Sequence, residues 1–137
     1  MRRPTAHRVG ALLAMFVALA GPAARAADTT PAQQLQRFAA QAGGTPSAER
    51  GRAFFSTPHG GEWSCASCHG AQPVAAGKHA STGKPIDALA PAGNPQAFTD
   101  AARVDKWFRR NCRDVLQREC SAAEKADVIA WLLTLQR

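Results

Sequence analysis

Five consecutive residues constrain this chain more than any others: Cys65-Ala66-Ser67-Cys68-His69. Two thiols with two residues between them are spaced to reach the two vinyl groups of one porphyrin. An imidazole directly after them comes up beneath the iron. The pattern predicts one covalent haem c, bound through Cys65 and Cys68, with His69 as proximal iron ligand. Two other chemistries use paired cysteines. A zinc site normally draws on four ligands, and Cys112 and Cys120 are the remaining thiols. A thioredoxin-like redox site needs a βαβ setting, which is missing here. A chain with this motif has to wrap a flat apolar ring, and that sets what its helices and loops must do.

The N-terminus carries an export pattern. Arg2, Arg3 and Arg8 form a basic start, and Val9 to Ala20 is an apolar run of roughly a dozen residues, too short to span about 30 Å of hydrocarbon as a helix. Gly21-Pro22 breaks the run. Ala24-Arg25-Ala26 then offers small residues at the two positions a signal peptidase reads. The expectation is a signal peptide over 1–26, cleaved after Ala26, and a mature domain over 27–137 in the periplasm without stable membrane insertion. An uncleaved anchor is the alternative.

Export changes the charge reading. The chain has 17 basic and 10 acidic residues. Without Arg2, Arg3, Arg8 and Arg25, 13 basic residues face 10 acidic ones, a net +3 that two haem propionates bring near neutral. The basic balance mostly reports the export signal, and no basic stripe argues for nucleic acid. About 110 residues suit one small domain that buries only about two thirds of its surface, so a covalent cofactor and a disulfide would both help. In an oxidising compartment Cys112 and Cys120 are expected to pair. That short loop is worth about 2.5 kcal/mol in the chain-entropy view, and it would also fix the backbone beside Asn111.

The pattern along the chain is all-α. Thr30-Pro31 opens a first helix with Leu35, Phe38, Ala39 and Ala42 on one face, and Gly43-Gly44 stops it. Thr45-Pro46 is expected to open a second helix in the same way, carrying Gly51, Phe54 and Phe55 and ending near Thr57-Pro58. From Gly70 to Gln96 the chain is rich in Gly, Pro, Ala and Ser, with no strand signal, and reads as loop packed around a ligand. Thr99-Asp100 starts a third helix whose apolar stripe is Val104, Trp107 and Phe108 and which is expected to stop around Asn111. Ser121 and Glu124 form a capping box at the head of the last helix, whose buried face is Val128, Ile129, Trp131, Leu132 and Leu135. Gly51 and Phe55 before the motif, with Trp131 and Leu132 at the end, resemble the crossed terminal helices of class I cytochromes c. The first helix is then an addition at the N-terminus.

The sixth iron ligand is the open question. The chain has two methionines, Met1 and Met15, both inside the expected signal peptide, so the mature domain has no methionine to offer. His59 and His79 are the other histidines of that domain. Lys78, Lys84, Lys106 and Lys125 would each have to lose a proton to bind. An open position is a further alternative. Asn111 is another candidate, although asparagine at a helix end is common for conformational reasons alone.

A set of motifs runs from about Pro31 to Leu135: Cys-Ala-Ser-Cys-His-Gly at 65–70, Thr-Gly-Lys at 82–84, Leu-Ala-Pro at 89–91, Phe-Thr-Asp at 98–100, Arg-Val-Asp-Lys-Trp at 103–107, Arg-Asn-Cys at 110–112 and Glu-Lys-Ala-Asp at 124–127. In these the chain resembles the SHP-type monohaem cytochromes c, which bind oxygen and other small ligands. The resemblance implies Asn111 as distal iron ligand and a Cys112–Cys120 disulfide. It also implies a redox partner, a dihaem cytochrome c. An amide oxygen is a hard, weak ligand that suits ferric iron better than ferrous. The expected function is therefore electron transfer with a redox-gated distal site: Asn111 lets go on reduction and O2, NO or CO binds. A plain electron carrier with a permanent sixth ligand such as His79 is the alternative. A dedicated enzyme finds little support, since only Arg109, Arg110 and Asp114 near Asn111 offer acid–base groups.

Overall fold

The computed structural model describes residues 27–137. The expected signal peptide over 1–26, with Met1 and Met15, lies outside the described residues. Five helices carry the fold: α1 Pro31–Ala42, α2 Ala48–Ser56, α3 Cys65–His69, α4 Ala101–Leu116 and α5 Ala122–Leu132. The one β feature among the described residues is a pair of two-residue strands, β1 Gly77–Lys78 and β2 Pro85–Ile86, antiparallel with Gly77 opposite Ile86. Strands this short have no period for a sequence to display. Otherwise the all-α expectation holds, including the extra N-terminal helix. No helix among the described residues is long and apolar enough to cross a membrane.

The helix ends follow from local chemistry. Thr30 and Gln33 satisfy each other's backbone donors, Pro31 sits in the first turn, and Gly43 closes α1 in the left-handed region at φ 66°. The second helix begins later than the Thr45-Pro46 reading: Ser47 is its cap and accepts from the Arg50 N–H at 3.2 Å. Ser121 and Glu124 form the expected box on α5.

The third long helix, α4, departs further from expectation. It does not stop at Asn111 but runs on to Leu116, where Gln117 caps it in the left-handed region at φ 59°. Cys112, Val115 and Leu116 continue the inward stripe begun by Val104 and Phe108, and that burial extends the helix past the asparagine. Trp107 is not part of the stripe: it is 43% exposed, one helical position off the buried face.

The core gathers around α5, against which α1 and α2 both pack. Where α2 crosses α5 the backbones nearly touch, and a Cβ on Gly51 would run into the Asp127 carbonyl. Phe55 and Trp131 meet beside that crossing with ring centroids 4.9 Å apart, together with Ala90, Val128 and Leu132. The Asp127 carboxylate is buried there and accepts from the Ser47 N–H at 2.6 Å and from Arg50 Nε and Nη2 at 2.8 Å each. A second cluster joins Phe38, Val104, Ala126 and Ile129. α4 reaches it through side chains: Phe108 lies edge-on to Phe38 at 5.6 Å, and Asp105 pairs with Arg37 at 2.7 Å.

The loop between α3 and α4 is ordered by specific ties. Leu89 and Ala90 both donate backbone N–H groups to the Pro73 carbonyl, and Ala90 is fully buried. Phe98, at φ 62°, turns the chain toward the Asp100 cap of α4 and packs between the two clusters.

Candidate haem site

The motif folds as the five-residue helix α3, directly beneath the α2–α5 crossing. Ser64 N–H donates to Ser67 Oγ and Ser67 N–H to the Ser64 carbonyl, which sets the first turn. Cys65 and Ala66 lean on the Phe55–Trp131 cluster. The His69 ring lies 6.2 Å from Phe55, centroid to centroid. The motif spacing thus becomes a little over one turn of helix, packed against the Phe55–Trp131 cluster.

The hairpin straps this helix from outside. A Cβ on Gly77 would overlap the Cys68 carbonyl, so the strand approaches as closely as glycine allows. Ala80 N–H points at Cys68 Sγ at 3.2 Å. Gly83, at φ 68°, completes the turn by donating to the His79 carbonyl, and His79 N–H donates to the Lys84 carbonyl. The Thr-Gly-Lys motif is therefore a turn that holds the strap. A cleft of about 410 Å³ runs along the motif, lined by Cys68, His69, Gly70, Ala76, Gly77 and Lys78 among others.

The chemistry of these groups fits a haem and not the alternatives. Cys65 and Cys68 are unpaired, while Cys112 and Cys120 are bonded to each other with Cα atoms 5.6 Å apart. No set of three or more metal-binding side chains forms among the described residues, so the four cysteines do not build a zinc site. Burial pushes the Cys65 thiol up to about 11. It is neutral at pH 7 and so a poor partner for disulfide exchange. Burial lowers the His69 imidazole from its ordinary value, which keeps a lone pair free. His69 Nδ1 is the one buried side-chain polar atom among the described residues without a hydrogen-bond partner. A neutral imidazole next to two free thiols is the donor set that a c-type haem takes up.

The other candidate ligands are scattered. His59 is tied down: its Nε2 meets the Phe54 carbonyl at 2.8 Å and its ring stacks on Phe54 at 4.4 Å. His79 sits in the hairpin turn, with Ser81 Oγ and the Thr82 N–H both 3.3 Å from its Nδ1, next to the residue that contacts Cys68. Asn111 is on α4, half-buried at the edge of the inward face. Its polar neighbours on α4 are engaged: Arg110 with Asp114 at 3.9 Å, Arg113 with Glu119 at 3.0 Å, Gln117 with the Asp114 carbonyl at 3.4 Å. The disulfide is as expected, with both sulfurs buried between Leu116, Phe54 and Phe108. It pins α4 one residue beyond Asn111.

Sequence reading missed the clamps. Asp127 and Asp105 fall inside the quoted motifs, but their partners Arg50 and Arg37 lie 77 and 68 residues away. No local signal connects them.

Residues 41–132 match the family described as a domain of unknown function, DUF1924. The chain is 51% identical to the cytochrome c-type protein SHP of Cereibacter sphaeroides over 124 residues, covering 88% of this chain and 95% of that one. It is 46% identical to cytochrome c'' of Methylophilus methylotrophus over 93 residues, 65% of each chain. Among solved structures, oxidised SHP, an oxygen-binding cytochrome c, superposes with a TM-score of 0.71 over 77% of this chain and 96% of that one, at 51% identity. Oxidised cytochrome c'' gives 0.68 over 78% and 95%, at 38% identity. Its solution structure, which concerns the structural basis of haem-ligand detachment, gives 0.65 over 78% and 94%. With the motif, the crossed helices and the strap in place, these similarities assign the chain to the family of c-type cytochromes with one covalent haem that includes SHP and cytochrome c''.

Proposed function

We propose that this cytochrome is a periplasmic electron carrier with a redox-gated distal site, in which His69 and Asn111 hold ferric iron and Asn111 is released on reduction. The haem supplies a one-electron couple and, once a ligand is lost, an open coordination position. The observation that carries the reading is Asn111 itself: a half-buried amide at the inner edge of α4, among engaged polar neighbours, one residue before the Cys112–Cys120 bridge.

Three further points support it. Residues 27–137 contain no methionine. His59 and His79 have other engagements. SHP binds oxygen and cytochrome c'' is associated with ligand detachment. An amide oxygen is a hard donor, favoured by ferric iron and weakly held by ferrous. The freed amide N–H2 would then be available to donate a hydrogen bond to O2, NO or CO. His69, held against Phe55, stays fixed in both states. Cleavage after Ala26 and a dihaem cytochrome c as redox partner belong to the same proposal.

The test is the absorption spectrum of ferrous protein with and without CO. Release of Asn111 gives a ferrous form that takes up CO readily. A sharp six-coordinate ferrous spectrum that CO leaves untouched would show a permanent sixth ligand and end the gating proposal.

A further inference from the structure

The near-neutral charge total conceals one strongly basic surface. α4 carries Arg103, Lys106, Arg109, Arg110 and Arg113, five of the 13 cations in residues 27–137, and all five are exposed. They fall at spacings of three or four along the outward side, a ridge about 15 Å long at 1.5 Å per residue. The helix has only two carboxylates. Asp105 is turned away to Arg37 on α1 at 2.7 Å. Asp114 lies a long 3.9 Å from Arg110. Lys106 and Arg109 have no ion-pair partner among the described residues.

Trp107 stands within this ridge. It is the most exposed large apolar side chain among the described residues, and Arg110 and Lys106 lie over its ring at 5.4 and 5.6 Å. Solvated helix faces normally interleave both signs of charge. Here Asp100, Asp114 and Glu119 stand beside Arg103, Arg110 and Arg113, and Lys106 and Arg109 are left in excess; a net positive rim around an exposed tryptophan is the make-up of a docking surface, an aromatic anchor whose charge steers an oppositely charged partner.

We infer that the outward face of α4, with Lys106, Arg109, Arg110 and Arg113 around Trp107, is the docking surface for an acidic redox-partner protein. Charge complementarity picks the occupant. An electron carrier has to meet its donor briefly and often, and small interfaces guided by charge serve that need. The same helix holds Asn111 on its inner edge, so a partner on this face approaches from the distal-ligand side. The inference rests on the cytochrome role alone and stands whether or not Asn111 is a ligand.

The test uses the holoprotein and an acidic one-electron donor, flavodoxin hydroquinone, which gives up one electron as the haem iron goes from ferric to ferrous. Lys106→Glu/Arg109→Glu removes cations that have no ion-pair partner among the described residues, and Arg52→Glu, at an exposed position of α2, is the control. The expected wild-type second-order rate falls steeply as salt is raised through about 0.2 M. The double variant has a low-salt rate about tenfold lower and a nearly flat salt dependence, with an unchanged haem spectrum, while Arg52→Glu follows wild type. Titration with oxidised flavodoxin is expected to shift the backbone amide resonances of Arg103 to Arg113. A double variant that keeps the wild-type rate and salt slope overturns the inference. So does binding to phosphatidylglycerol vesicles that the double variant loses while its flavodoxin rate is unchanged, which would make the ridge a lipid-facing surface.

Discussion

The two helices that flank the haem motif are held in opposite ways. α2 meets α5 backbone to backbone: Gly51 lies against the Asp127 carbonyl, and the Asp127 carboxylate reaches across to Ser47 and Arg50. α4 hangs from the same core by side chains, through Phe108 on Phe38, Asp105 on Arg37 and the Cys112–Cys120 bridge. The first joint fixes the covalent attachment and His69. The second carries Asn111. The proposed gating, in which one ligand is kept and the other released, draws on this inequality. Close backbone packing leaves few alternative arrangements, whereas side-chain ties allow small adjustments at modest cost.

The largest effect is expected where the rigid joint is broken. Gly51→Val forces a branched side chain into the Asp127 backbone and should cost at least about 3 kcal/mol, measured by denaturant unfolding of the holoprotein. A cost under about 1 kcal/mol would mean the helices can part without loss. Cutting the flexible joint should cost slightly less and show a different signature. Cys112→Ser/Cys120→Ser loses about 2.5 kcal/mol and also changes the ferric spectrum, because the backbone next to Asn111 is freed. If only stability changes, the bridge has no part in holding the ligand.

Asp127→Ala sharpens the contrast from the other side. It removes charge-assisted hydrogen bonds and should cost about 2 kcal/mol, with the ferric spectrum intact, since the clamp lies on the His69 side. The smallest effect concerns the start of α5. The Arg118 guanidinium, aided by the Ser121 hydrogen bonds, holds the Glu124 carboxyl below its ordinary 4.5. A depressed carboxyl contributes stability that is full above that ordinary value and is lost as pH falls through the folded one. Ser121→Ala should cost about 1 kcal/mol at pH 7. Glu124→Gln should flatten the fall in stability below pH 4.5. An unchanged acid limb would place the acid sensitivity elsewhere.

These joints were unequally legible in the amino-acid sequence. Cys65, Cys68 and His69 announce themselves because haem attachment is a local spacing. The caps at Thr30, Gly43 and Ser121 are local too, and the structure matches them. Gly51 and Phe55 were readable through resemblance to crossed helices. The end of α4 was not, since an asparagine looks like a stop signal while the actual cap is Gln117, an unusual residue for φ 59°. Trp107 sits at the border of the apolar stripe, where periodicity alone does not decide exposure. The Asp127 and Asp105 clamps and the paired strands depend on partners brought together only by folding. Asn111 was visible as a candidate by elimination and resemblance. Its half-buried place beside the bridge is a property of the folded helix.

The most direct test is the ferric absorption spectrum of Asn111→Ala beside wild type, on protein with equal haem content. With Asn111 as sixth ligand, the ferric absorption bands shift in the variant because the amide oxygen is lost and water or an open position takes its place, and stability changes by less than about 1 kcal/mol. Superimposable ferric spectra would contradict the assignment and return the distal position to His79 or another donor.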